Sequence, residues 1–194
     1  TYADIEPRWL SEERLPEAEE RLKLALNLAE PLIAEASDVP AYAAGLTHIL
    51  TKLAHVLRRT ERATEAEMRF SQAMALQSTL AKSNPENTTH VDWRARIARS
   101  LADLLEEQDR LDEAAELLRE AGSAIEPLVQ SEDSRGNPSH FFASLTLSET
   151  YGSLERILRA QGDLTTADEF RAKAIEYGPG HFFRRRPPPD AGAR

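Results

Sequence analysis

The chain has 194 residues, with 24 Lys and Arg against 33 Asp and Glu, a formal charge of −9 and no cysteine. That acidity disfavours general binding to a phosphate backbone, which needs clustered cations, and the absence of thiols excludes disulfides, iron–sulfur clusters and cysteine-ligated zinc. Aromatic residues are only 6% of the chain while Ala and Leu abound, a composition for helices rather than for a β-sandwich.

From the amino terminus, TYADIEP carries neither Met nor a leader pattern, as expected of a segment or a processed product of a longer protein. Residues 5–13 read as the end of a helix. A second helix is expected over 16–37, with Pro31 bending it. Over 41–60, Leu46, Leu50, Leu53 and Leu57 recur at intervals of 4, 3 and 4, and His48, Lys52, His55 and Arg59 do the same on the opposite side. At about 100° per residue these are two stripes of one amphipathic helix.

The helix expected over 64–82 places Ala66, Phe70, Ala73 and Leu80 on one side and stops at SNPEN, where a proline removes a donor. The next pair covers 91–108, with Ile97, Leu101, Leu104 and Leu105 apolar, and 112–130, where Pro127 is expected to kink or shorten the helix. After a loop over 131–139, the last pair covers 140–160 and Leu164–Tyr177, broken by Gln161-Gly162-Asp163. No segment alternates with period two, so no sheet is expected. No apolar run approaches the roughly 18 residues of a membrane span. From Gly178 the sequence is rich in Pro, Gly and Arg and cannot build a core, so residues 178–194 read as a disordered tail.

One phrase recurs. RLPEAEERLKLA begins at Arg14, RATEAEMRFSQA at Arg62, RLDEAAELLREA at Arg110 and DLTTADEFRAKA at Asp163, starts separated by 48, 48 and 53 residues. Ala18, Ala66, Ala114 and Ala167 hold one small-residue slot, and Ala25, Ala73, Ala121 and Ala174 a second one seven residues on. Leu22, Phe70 and Leu118 fill a bulky slot between them, held by Arg171 in the last copy. Small residues let two helices cross closely and a large one fills the space beside them. Glu155, where the other copies have Ala54 and Ala102, puts a carboxylate into such a crossing, so the last copy is expected to pack differently or to form a cap.

These positions resemble tetratricopeptide (TPR) repeats. The resemblance spans about residues 5–177 and implies an all-α, right-handed α-solenoid of antiparallel helix pairs without sheet. The expected repeats are 1–38 (partial), 41–85, 91–130 and 140–177, together forming one array over 1–177. VPAY at Val39–Tyr42, with looser matches at His90–Trp93 and Asn137–Phe141, further resembles the long-period repeats that follow the kinase domain of some bacterial serine/threonine protein kinases. That implies a regulatory part of a signalling protein, with the kinase domain elsewhere.

No catalytic constellation emerges: no glycine-rich phosphate loop, no GxSxG, no HExxH. His48 and His55 lie two helical turns apart, too far to share a metal unaided. No catalytic, cofactor or metal site is therefore expected. What remains is a groove lined by first helices, with candidate residues His48, Lys52, His55, Arg59, Arg96, Arg99, Asp103 and Arg156. Counting Glu107 and Glu149 as well, it holds five cations against three carboxylates in a chain of −9. Arginine forks match carboxylates, so an acidic peptide or protein partner is expected, with His55 adding pH sensitivity. The competing reading pairs Arg99 with Asp103 four residues on, as a solvated stripe. None of the three complete first helices contains Asn, so chaperone-tail binding of the carboxylate-clamp type is not expected.

The expected function is thus a non-catalytic, cytoplasmic protein-interaction scaffold that binds neither nucleic acid nor membrane. Two alternatives stand beside it: an all-α ligand-binding or enzymatic domain with an inter-helix pocket, and a homo-oligomerising module with exposed apolar edges, such as the half-repeat around Trp9 and Leu10.

Overall fold

A computed structural model describes residues 12–35, 40–85, 87–130 and 138–179. The expectations placed on residues 5–11, on Trp9 and Leu10, on the 131–137 loop and on the tail from 180 lie outside them. After a 3-10 turn at Glu12–Arg14, seven α-helices follow: α1 (Leu15–Glu35), α2 (Pro40–Arg59), α3 (Ala63–Ser83), α4 (Thr89–Glu107), α5 (Leu111–Gln130), α6 (Pro138–Ala160) and α7 (Leu164–Tyr177). The described residues contain no strand. They fall into two compact units, residues 1–90 and 91–194.

In the first unit α2 packs between α1 and α3. The expected leucine stripe of α2 is its core side, Leu46, Leu50, Leu53 and Leu57 being 8, 3, 1 and 1% exposed, each burial worth about 1.5–3 kcal/mol. Thr47, Ala54 and Val56 are buried too, because a helix held from two sides buries more than one stripe. α3 answers with Ala66, Phe70, Ala73, Gln77 and Leu80. Thr47 meets Gln77 and His55 meets Phe70. Partners thus climb one helix while descending the other, and the pair is antiparallel.

In the second unit α6 packs between α5 and α7. Ser144 and Ser148 donate to the carbonyls of Tyr177 and Ala174, both at 2.7 Å, again antiparallel, and cap carbonyls that the end of α7 leaves without helical donors. The two first helices of this unit run parallel: Arg99 of α4 pairs with Glu149 of α6, 50 residues on, a separation that matches the repeat. The expected class, an all-α array of antiparallel helix pairs, is what the described residues form.

Each first helix turns into its partner in the same way. Glu61, Asp109 and Gly162 have φ of 59°, 60° and 84°. The next amide closes back five residues, Arg62 onto Leu57, Arg110 onto Leu105 and Asp163 onto Leu158, at 2.9, 2.9 and 3.0 Å. This is the Schellman closure, which needs one left-handed residue. Arg62 and Arg110 then grip Glu65 and Glu113 through two nitrogens each, at 2.6 and 2.7 Å. In the last copy Asp163 instead accepts from the Thr166 amide at 3.1 Å.

The small slots are buried in the inner copies, Ala66, Ala73 and Ala114 at 0% and Ala121 at 2%, but half-exposed in α1 at Ala18 and Ala25. The bulky slot repeats the pattern: Phe70 and Leu118 are fully buried, Leu22 half-buried and Arg171 exposed. In α7, Phe170 takes over, its ring 5.2 Å from that of Tyr151. Glu155 does not enter a tight crossing: it is half-buried and accepts from Arg159, which also reaches Asp168 at 2.5 Å.

Two helix starts differ from expectation for local reasons. α4 starts at Thr89 because Asn87 Oδ1 accepts the Thr89 amide at 3.2 Å. α6 starts at Pro138, where a missing N–H costs nothing. α1 and α5 run on through Pro31 and Pro127, so Pro127 does not shorten α5. Both prolines are exposed and close to a C-terminus.

Candidate interaction site

The expected groove residues divide between the units. His48, Lys52, His55 and Arg59 belong to the first. α2 holds these and Arg58, and no Asp or Glu. His48 and Arg59 are exposed, Lys52 and His55 half-buried. The His55 ring stands edge-on to Phe70, centroids 5.1 Å apart at 82°. Phe70 is fully buried, so His55 is anchored at the α2–α3 contact rather than lying loose on the opposite face. Partial desolvation and the neighbouring Lys52 ammonium both hold the His48 pKa below its ordinary value.

In the second unit, Arg96 binds Asp92 four residues back at 2.9 Å. Arg99 does not pair with Asp103 on its own helix: it reaches Glu149 on α6. Asp103 instead receives Arg156 of α6 at 2.7 Å, and Arg156 also reaches Glu106. Arg99, Asp103 and Arg156 therefore come together as a ladder of ion pairs between two parallel first helices. Glu106 completes it, and its spacing of three from Asp103 was the available signal. The expected cationic excess is largely met on this face, since Arg99 and Arg156 each hold a carboxylate. All five side chains of the ladder are between 24 and 48% exposed, where an ion pair contributes about 0–1 kcal/mol.

Two polar clusters, each built around buried residues, lie apart from the expected site residues. In the first unit, His90 is 8% and Gln77 2% exposed. Gln77 holds the position that Ile125 fills 48 residues on, and a polar residue on an apolar stripe needs partners. Thr47 Oγ donates to the Ala43 carbonyl at 2.9 Å, Gln77 Nε2 to Thr47 Oγ at 3.1 Å, and His90 Nδ1 lies 3.0 Å from Gln77 Oε1. In the second unit, Tyr151 and Tyr177 both donate to Glu126, each at 3.0 Å, and Gln130 donates to Tyr177 at 3.0 Å. Burial and the Glu126 carboxylate together push the Tyr151 phenol far above its usual range.

Among the described residues, no group of three His, Asp or Glu side chains converges as a metal ion would require, and no helix is long and apolar enough to cross a membrane.

No family model matches the chain, and no curated protein matches it. Solved structures do. One is a crystal structure from Podosopora anserina described as kinesin light chain, nearly identical TPR-like repeats: 18% identical, covering 93% of each chain, TM-score 0.47. Another is BtubC (BKLC) from P. vanneervenii: 18% identical, covering 94% of this chain and 85% of that one, TM-score 0.38. At such scores the likeness is loose, and the fold rests on the helix pairing itself.

Proposed function

We propose that this chain is a non-catalytic helical-repeat scaffold that binds a peptide or protein partner along the polar sides of its first helices, and that it serves as the regulatory part of a signalling protein, a bacterial kinase being the context its repeat phrase resembles. The observation that carries the reading is the charge of α2, whose charged side chains are all cations, beside second helices α3 and α5 that bury their small residues. Rigid helices hold such a surface ready, so less conformational entropy is lost on binding.

The partner's chemistry follows from α2, a helix with cations and no carboxylate in a chain of −9. Lys52 and Arg59 suit an acidic segment. On α4 and α6 an incoming carboxylate exchanges with Glu149, Asp103 or Glu106 for arginines already held at the surface. Such exchange costs little, because the resident pairs are weak.

The test is binding of labelled acidic, neutral and basic peptides by the intact chain and by a Lys52→Glu/Arg59→Glu double variant. Acidic peptides are expected to bind best, more weakly with added salt, and to be lost in the variant. Equal binding of all three peptide classes, or an unaffected variant, would overturn the reading.

A second reading, self-association, is favoured by α1, whose Leu24 and Leu28 are 60 and 64% exposed.

A further inference from the structure

The chain of hydrogen bonds in the first unit, exposed at Asn87 and buried at His90, Gln77 and Thr47, has a direction, and backbone groups fix it at both ends. At one end the Thr89 amide N–H donates to Asn87 Oδ1 at 3.2 Å, so Asn87 presents its NH2 group to His90 Nε2, 3.3 Å away. At the other end the Thr47 hydroxyl donates to the Ala43 carbonyl, so Thr47 Oγ accepts from Gln77 Nε2 and the Gln77 amide turns Oε1 to His90 Nδ1. Only one imidazole satisfies both neighbours: neutral, with the proton on Nδ1 and a lone pair on Nε2. A second proton sets Nε2–H against the NH2 of Asn87, two donors face to face. Turning the Asn87 amide relieves this only by withdrawing the oxygen that caps the start of α4.

The position adds to the conflict. His90 is in the first turn of α4, where the helix dipole opposes positive charge, and it is 8% exposed. We propose that His90 is a proton-operated latch, fastening the Asn87–His90 segment to α2 and α3 through Gln77 and Thr47 when neutral and releasing it when protonated.

Among the described residues, no charged group acts on the imidazole. The facing groups on α2 and α3 are Thr47 and Gln77. On α2, His48 and Lys52 act on each other. On α4, Asp92 is held by Arg96 and Arg94 by Glu120 at 2.5 Å. Burial alone lowers the His90 pKa from its ordinary value. The sign follows: for a depressed histidine, the contribution to stability is fully present above the unfolded pKa of about 6.5 and is lost as pH falls through the folded value.

Nitrogen-15 NMR of the full chain from pH 8 to pH 5 tests this. At pH 8, His90 is expected as the Nδ1–H tautomer. Its protonation should move the Thr89 amide and the side-chain amides of Asn87 and Gln77 with one midpoint, below the ordinary histidine range. An Nε2–H tautomer at pH 8, or Thr89 and Gln77 signals that ignore the His90 titration, would overturn the latch; this arm needs no variant. In Asn87→Asp, one carboxylate can accept from both the Thr89 amide and the imidazolium. Proton binding at His90 should tighten by about tenfold, one pH unit, with Thr89 staying in place in acid. A midpoint equal to that of the parent chain counts against the proposal.

Discussion

The ring of Tyr151 occupies the space that a side chain at position 122 would need. A Cβ built on Gly122 falls 2.5 Å from Tyr151 Cε1. Glycine there lets the tyrosine of α6 lie against the backbone of α5 while its hydroxyl reaches Glu126 one turn further on. Gly122→Ala is expected to cost about 1–3 kcal/mol, as overpacking does, despite the better helix propensity of alanine. Chemical denaturation measures it. Adding Tyr151→Leu should recover part of the loss, and a neutral Gly122→Ala would show that the contact yields easily.

The three left-handed turn residues predict opposite effects of glycine and alanine. Gly162→Ala forces a Cβ into φ 84° and should destabilise by about 1 kcal/mol. Glu61→Gly and Asp109→Gly remove that strain from the same turn and should be neutral or stabilising by up to about 1 kcal/mol. Thermal melts of the three variants decide. Equal losses in all three would mean that the Glu61 and Asp109 side chains matter more than the backbone.

The ladder between α4 and α6 should add little to stability. A double-mutant cycle on Arg99 and Glu149 is expected to give a coupling of about 0.2–1 kcal/mol, shrinking as salt rises. A coupling well above that range would make the ladder a structural brace and weaken its reading as an exchangeable binding surface.

Tyr151 and Tyr177 should resist ionisation. For Tyr151, burial and then the Glu126 carboxylate raise the phenol; for Tyr177, burial and Glu126 outweigh the hydrogen bond from Gln130, which works the other way. Their contribution to stability is present below the unfolded pKa of about 10 and is lost as pH rises through the folded values. Absorbance titration at alkaline pH checks this. Glu126→Gln should bring the Tyr151 midpoint down, though not to the ordinary value, since burial remains.

If self-association runs through α1, a Leu24→Glu/Leu28→Glu variant should convert a dimer into a monomer in light scattering. A parent chain that is monomeric at the concentrations used would remove that reading.

The fold was legible because it rests on short-range patterns. Leu46, Leu50, Leu53 and Leu57 announce a helix by spacing alone, and Ala66, Ala73, Ala114 and Ala121 announce close crossings because only small side chains permit them. The candidate site was legible only in part. Arg99 and Asp103 look like an i,i+4 pair on paper, yet each turns to α6, where a facing helix offers Glu149 and Arg156. Gln77 and His90, thirteen residues apart, gave no local sign of touching.

Taken by itself, the amino-acid sequence determined the helices, their pairing and the repeat, since periodicity, proline positions and small-residue slots act within a few residues of one another. Only the tertiary structure decided which charges neutralise each other across α4 and α6, why Gly122 must be glycine, and which way the hydrogen bonds run through His90. Those depend on distances between side chains up to 53 residues apart, and on buried donors and acceptors whose directions are set by backbone groups at either end. No spacing along the chain encodes such directions.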